Sequence, residues 1–254
     1  MIKTYTDWWL LSKRHLVKTF RSPAWLIIGM SQPVLYLLLY MPLLKNIAGG
    51  GVPITSNEVA RLFIPGMLVI MSMGSLFAGF SFIPEMRQGL IARWLVTPAN
   101  RVGILLSMVF NNLVTLFLQS VILFGIGYLF GLRISVMAGI LTLILILLIG
   151  AAMAALSYTI SLTTKNEMGL AQITNTFYLP VILLSGVMLP ISIAPHWIKV
   201  AAKFNPFYYA VEASRSMFGN AFAKPIVFGG YGVMIVIAGL CIWSAVWALR
   251  KMSA

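Results

Sequence analysis

Long apolar blocks alternate along this chain with short stretches that collect its charges, prolines and glycine runs. About 20 residues of helix cover the ~30 Å hydrocarbon core of a bilayer. On that measure the blocks predict six spans. They run from Trp25 to Leu44, Phe63 to Phe82, Val102 to Leu123 (continuing toward Phe130), Val136 to Thr159, Gly169 to Leu189 and Val227 to Leu249. Pro33 and Pro180 fall inside the first and fifth, where each removes a backbone donor and predicts a kink. Lys45 to Ser56, with Gly49, Gly50, Gly51 and Pro53, reads as a loop. Pro84 is read as the start of the link after the second span, Gly131 to Arg133 as a tight turn, and Lys165 to Glu167 as a short charged link. The Leu/Ile run from Leu141 to Ile149 predicts a lipid-facing surface, and the small residues after it a packed one.

Three stretches depart from this alternation. Residues 3–21 are amphipathic: Tyr5, Trp8, Trp9, Leu16 and Phe20 share one face, and Lys3, Asp7, Arg14, Lys18 and Arg21 the other. Such a helix can lie in the membrane interface or cover a neighbouring subunit. The second is Glu85 to Arg101. Read as a helix ended by Pro98, it places Leu90, Ile91, Trp94 and Leu95 on one side, with Glu85, Gly89 and Arg93 opposite and Arg87 interrupting the apolar side. A force-bearing helix across the mouth of the bundle and a solvated turn both fit. The third runs from Ser185 to Lys224, too apolar for a free loop and divided by Pro190, Pro195 and Pro206. It reads as two short helices, about 195–204 and 206–219, entering the outer leaflet against protein or a wet cavity. Glu212 and Arg215 are spaced to pair on the second. His196, beside Trp197, and the aromatic group Phe207, Tyr208 and Tyr209 read as interfacial anchors.

Composition narrows the class. The chain is 60% hydrophobic and 9% charged, whereas soluble domains carry roughly 25% charged residues. This excludes a soluble globular protein. Net charge is +13, but the cations sit at the ends of apolar blocks, which fits anchoring to anionic lipid rather than nucleic acid. With six spans, Lys3, Lys13, Arg14, Lys18, Arg21, Arg87, Arg93, Arg101, Lys165, Arg250 and Lys251 fall on one side and seven cations on the other, which places both termini in the cytoplasm. The basic N-terminal stretch is followed by an apolar block without an Ala-x-Ala cleavage site, so it reads as a retained span. Cys241 is the single cysteine, and no metal-ligand spacing is present.

Chemistry is sparse. There is no glycine-lysine phosphate loop and no paired carboxylate, and Asp7, Glu58, Glu85, Glu167 and Glu212 all fall near predicted interfaces. An ion-driven pump would lack its usual mid-membrane acids. Polar residues within spans have two readings. Ser72 and Ser75, with Gly66, Gly74 and Gly79, either let helices approach closely or line a substrate route. Asn111, Asn112, Gln119, Gln172 and Asn175 either bond between helices or touch substrate.

Glu85, Arg87, Gly89, Leu90, Leu95, Val96, Thr97, Pro98 and Arg101, together with Ser185, Gly186, Pro190, Pro195, Asn205, Pro206, Tyr209, Ala210, Glu212 and Arg215, carry a resemblance to a known family. The chain resembles the membrane subunit of type 2 ABC exporters, in the group of daunorubicin-type drug-resistance permeases and nodulation-factor exporters. Met86 and Gln88 replace residues more often charged in relatives.

The resemblance implies a single all-α membrane domain over 1–254. It would have six transmembrane helices, an N-terminal interfacial helix, a cytoplasmic coupling helix at 85–98 and an outer re-entrant region at 190–224. It implies no enzymatic activity and no cofactor in this chain, ATP and Mg2+ being bound by two cytoplasmic ATPase subunits. Arg14, Lys18, Glu85, Arg87, Gly89, Leu90, Arg93, Trp94, Leu95 and Pro98 would meet those subunits. Pro190, Pro195, Asn205, Pro206, Tyr209, Glu212 and Arg215 would belong to an outer gate. A second copy of the chain or a homologous permease would complete the route, in a prokaryotic cell membrane. An amphiphilic cargo is expected, with a saccharide exporter, a secondary transporter and a non-transporting anchor as alternatives.

Overall fold

The computed structural model describes residues 24–47, 55–88, 101–187, 191 and 194–251. Helix α1 is Ala24–Ile47 and α2 is Ser56–Met73. A 3₁₀ turn, Gly74–Phe77, joins α2 to α3, Gly79–Arg87. Then come α4, Arg101–Leu129; α5, Val136–Thr164; and α6, Glu167–Leu184. The last three are α7, His196–Lys203; α8, Pro206–Phe218; and α9, Pro225–Lys251. The described residues are almost wholly helical and contain no strand. Among them four stretches are long and apolar enough to cross a membrane: Ser56–Pro84, Leu105–Leu129, Val136–Thr164 and Pro225–Lys251. A shorter apolar helix covers Gly29–Leu39.

Helix α5 is the hub. It packs along α9 most extensively and also touches α2, the 3₁₀ turn, α3, α4, α6 and α8. This narrows the lipid-facing expectation for its Leu/Ile run to one side of the helix. Leu145, Ile146 and Ile149 are fully buried, while Ile140 and Ile144 are exposed. A helix apolar on all sides gives no sequence signal for which side meets protein. Its small-residue half behaves as expected, with Ala152, Ala154, Ala155 and Ser157 all buried. One core cluster gathers Ile64, Leu68, Leu123, Leu145, Met217, Phe218 and Met234. A second, towards the end where α3 leaves the bundle, gathers Phe82, Leu105, Met108, Tyr158, Leu162 and Leu249.

Several boundaries shift from those predicted, each for a local reason. Helix α2 starts at Ser56 rather than Phe63 because Thr55 and Glu58 form a capping box: the Thr55 side chain accepts from the Glu58 amide, and the Glu58 carboxylate accepts from the Thr55 amide at 2.9 Å. Pro84 does not open the link. It lies inside α3, which continues to Arg87 before turning at Gln88. Glu85 and Arg87 therefore end the second helix instead of starting a new one. Helix α5 runs on to Thr164, where Lys165 takes a left-handed conformation (φ 51°). Helix α6 stops at Leu184 rather than Leu189, because Gly186 at φ 74° turns the chain back in a conformation that only glycine adopts freely. The two short helices expected after it are present as α7 and α8.

Candidate functional site

The residues of the late sequence segment meet at one junction. Helix α8 begins at Asn205, whose side-chain oxygen accepts from the Phe207 amide at 3.0 Å, with Pro206 in the first turn. The same side chain reaches back with its amide nitrogen to the Val181 carbonyl of α6 at 2.7 Å. One buried amide thus caps one helix and satisfies a last-turn carbonyl of another. Tyr209 donates its hydroxyl to the Lys203 carbonyl at 3.0 Å and so closes the α7–α8 corner. Ala210 is fully buried.

Arg215 holds the junction to the bundle. Its guanidinium donates to the Leu62 carbonyl of α2 at 3.2 Å, to the Gly186 and Val187 carbonyls at 2.9 and 3.2 Å, and to the Glu212 carboxylate at 3.1 Å. Gly186 and Val187 follow the C-terminus of α6, where the helix dipole favours a cation. The Arg215 side chain is only 10% exposed, so these acceptors stand in for the water it has lost. A planar fork with five donors suits this multiple recognition, and a lysine would not reproduce it. Glycine makes room: a Cβ on Gly66 would run into the Val187 carbonyl, so α2 passes close against the turn only because it carries no side chain there. Ser185 is buried here and donates to the Ile182 carbonyl at 2.6 Å. Pro195 precedes α7 and is exposed; Pro190 lies outside the described residues.

The other candidate residues do not join this junction. Ser72 is buried and donates to the Val69 carbonyl at 2.7 Å. Ser75 is buried beside Gly150 of α5. On α4, Asn111 and Asn112 are half-buried; the Asn111 carbonyl accepts from Thr115, and the Asn112 side-chain oxygen is buried with no hydrogen-bond partner. Gln119 is buried on the same helix, against Gly29 of α1. Gln172 and Asn175 lie on the exposed face of α6, beside the exposed Phe177, Leu179 and Leu183. Of the coupling segment, Arg87 is exposed at the end of α3. Gly89, Leu90, Arg93, Trp94, Leu95 and Pro98 lie outside the described residues, as do Arg14 and Lys18 of the N-terminal amphipathic stretch.

One feature had no sequence signal beyond its glycines. The 3₁₀ turn Gly74–Phe77 shifts the hydrogen-bond register, so the Ala78 amide donates to the Ser75 carbonyl at 3.1 Å. The Gly79 amide instead donates sideways to the Ser157 hydroxyl of α5 at 2.9 Å. Short 3₁₀ stretches inside a helix often mark a hinge.

The model of the ABC-2 type transporter family matches residues 6–218, most of the chain. The chain belongs to the ABC-2 type transporter family. The chain is also similar to the transport permease ycf38 of Cyanophora paradoxa, at 27% identity over 217 residues, covering 84% of this chain and 74% of the relative. The corresponding permease of Porphyra purpurea is 27% identical over 214 residues, covering 83% and 73%. That of Pyropia yezoensis is 25% identical over 217 residues, with the same coverage. As an ABC-2 permease the chain is a multi-pass membrane transport subunit without catalytic activity of its own, and it works with separate ABC ATPase subunits.

Proposed function

We propose that this chain is the membrane subunit of an ATP-driven exporter that moves an amphiphilic compound (a drug, a natural product or a lipid-like molecule) out of the cytoplasm or the inner leaflet. Two copies, or one copy and a homologous permease, stand on two ATPase subunits in a prokaryotic cell membrane, with both termini cytoplasmic. Helices α1 and α6 join the four long apolar stretches as spans. The segment from Glu85 to Pro98 and the N-terminal amphipathic stretch rest on the ATPases. The α7–α8 hairpin enters the membrane from the outer side and forms part of the exit.

The observation that carries this reading is the Arg215 junction. It ties the hairpin to α2 and α6 at once, so any motion of either helix reaches the outer hairpin. Helix α2 continues through the 3₁₀ turn into α3 and the charged segment, which gives motion at the ATPase side a covalent route to that junction. An amphiphile is favoured over a long saccharide by the exposed face of α6, which sets Gln172 and Asn175 beside Phe177, Leu179 and Leu183. The test is co-purification with the ATPase encoded beside it, then a substrate screen for stimulated ATP hydrolysis in proteoliposomes. Amphiphiles should stimulate hydrolysis and be transported. Full-rate transport by the chain without its ATPase would overturn the reading.

A further inference from the structure

We propose that the 3₁₀ turn Gly74–Phe77 is a screw joint between α2 and α3, and that Ser157 is the positioning residue that holds it in the wound form seen here. The joint deepens the coupling reading above and rests on it for its driving force.

The hydrogen-bond register shows what is exchanged. In an uninterrupted α-helix the Gly79 amide would donate to the Ser75 carbonyl four residues back. Here the Ala78 amide occupies that carbonyl, and Ser157 supplies an acceptor to Gly79 from the neighbouring helix. Buried amides need a partner in either form. Both forms have one: Ser75 in the α form, Ser157 in the 3₁₀ form. The switch between them leaves the Gly79 amide with an acceptor in either form.

The surroundings favour movement at one end of the turn and registry at the other. A Cβ on Gly74 would have no atom within 4 Å, so nothing packs against that side of the backbone. At Gly79 a Cβ would meet the Ser157 hydroxyl at 2.7 Å and the Ser157 carbonyl at 2.9 Å, and would collide with the Ser161 hydroxyl. Ser161 is itself fixed, donating to the Ser157 carbonyl at 2.8 Å, and both serines are fully buried. The start of α3 is thus seated on α5 by backbone contact.

The geometry of the exchange sets its size. A 3₁₀ helix rises about 2.0 Å per residue with 3 residues per turn, against about 1.5 Å and 3.6 for an α-helix. Rewinding four residues would shorten the helix by roughly 2 Å and rotate α3 by about 80° relative to α2. Helix α3 ends at Arg87 and leads into the charged segment, so a push there has a rotation to drive. Phe77, inside the joint, lies edge-on to Tyr178 of α6 with ring centroids 5.3 Å apart. Rewinding would shift that ring relative to α6, which leads into the turn that Arg215 grips.

The experiment uses the complete complex with its ATPase in proteoliposomes, in a Cys241→Ser background. Nitroxides at Gln88 and Thr163 report α3 against α5 with and without trapped ATP. The joint predicts a distance change of about 2 Å or more between the two states. Ser157→Ala removes the alternative acceptor, and Gly74→Ala favours the α form at a site with room for the methyl. Each should leave complex yield and basal ATP hydrolysis near the parent and lower transport per ATP by about fivefold, a modest coupling loss. Equal distances in the two nucleotide states, or unchanged transport per ATP in both variants, would overturn the joint. Arg87→Glu and Arg93→Glu separate the two proposals. Uncoupling by these with a static distance sinks the joint alone; a distance that shifts while they leave coupling intact sinks the coupling reading alone.

Discussion

Arg215 shows how much one side chain can carry. Its guanidinium serves three backbone carbonyls on two distant segments and one carboxylate on its own helix. Removing a buried cation from such a set leaves several acceptors unpaired, each costing about 1–3 kcal/mol. Arg215→Ala should therefore lower the stability of the purified protein by about 3 kcal/mol or more, seen as an earlier unfolding midpoint in detergent. Glu212→Gln removes only the partly exposed ion pair and should cost under about 1 kcal/mol. If the two variants melted alike, the carbonyl contacts would not be the stabilising ones. The pair itself was legible, since a three-residue spacing on a helix brings side chains together. The carbonyl partners were not: Leu62 lies 153 residues away, and nothing in a linear pattern links them.

At the scale of elements, caps and breaks decided most boundaries. Asn205 both caps α8 and ties it to α6, so Asn205→Ala should cost about 1–2 kcal/mol. Asn205→Ser, which keeps a capping oxygen and loses the tie, should cost less than Asn205→Ala if capping dominates; thermal unfolding of the two variants apportions the roles. The hairpin helices were legible because Pro195 and Pro206 mark helix starts in an apolar stretch. The early end of α6 was not, because the apolar run through Val187, Met188 and Leu189 hides a turn made by Gly186. Pro84 misled in the opposite direction. A proline costs a helix one bond, and α3 absorbs that loss and continues to Arg87. Charge reversal at Arg87 or Arg93 should uncouple ATP hydrolysis from transport while sparing complex yield. Measuring both on the same preparation checks this, and intact coupling would remove the assignment.

For the whole molecule, α5 is the post against which most of the described helices pack, and the start of α3 is fastened to it where the Gly79 amide donates to Ser157. The sequence carries no phosphate-binding loop, and family membership assigns ATP hydrolysis to a partner. Proteoliposomes containing this chain alone should show no ATP-driven transport, and adding the ATPase subunit should restore it. Tracer uptake with and without that subunit is the measurement.

The linear sequence by itself determined that this is a helical membrane protein, roughly where its long helices lie, and to which family it belongs. Those properties follow from apolar run length, charge placement and short motifs, all of which are local along the chain. Only the tertiary structure decided which side of α5 is buried, which carbonyls Arg215 reaches, and that the Gly79 amide leaves its own helix for Ser157. In a chain apolar on nearly every helix face, hydrophobicity cannot distinguish lipid from protein as a neighbour. That choice belongs to shape and to the pairing of buried polar groups, and both are settled only when distant segments meet.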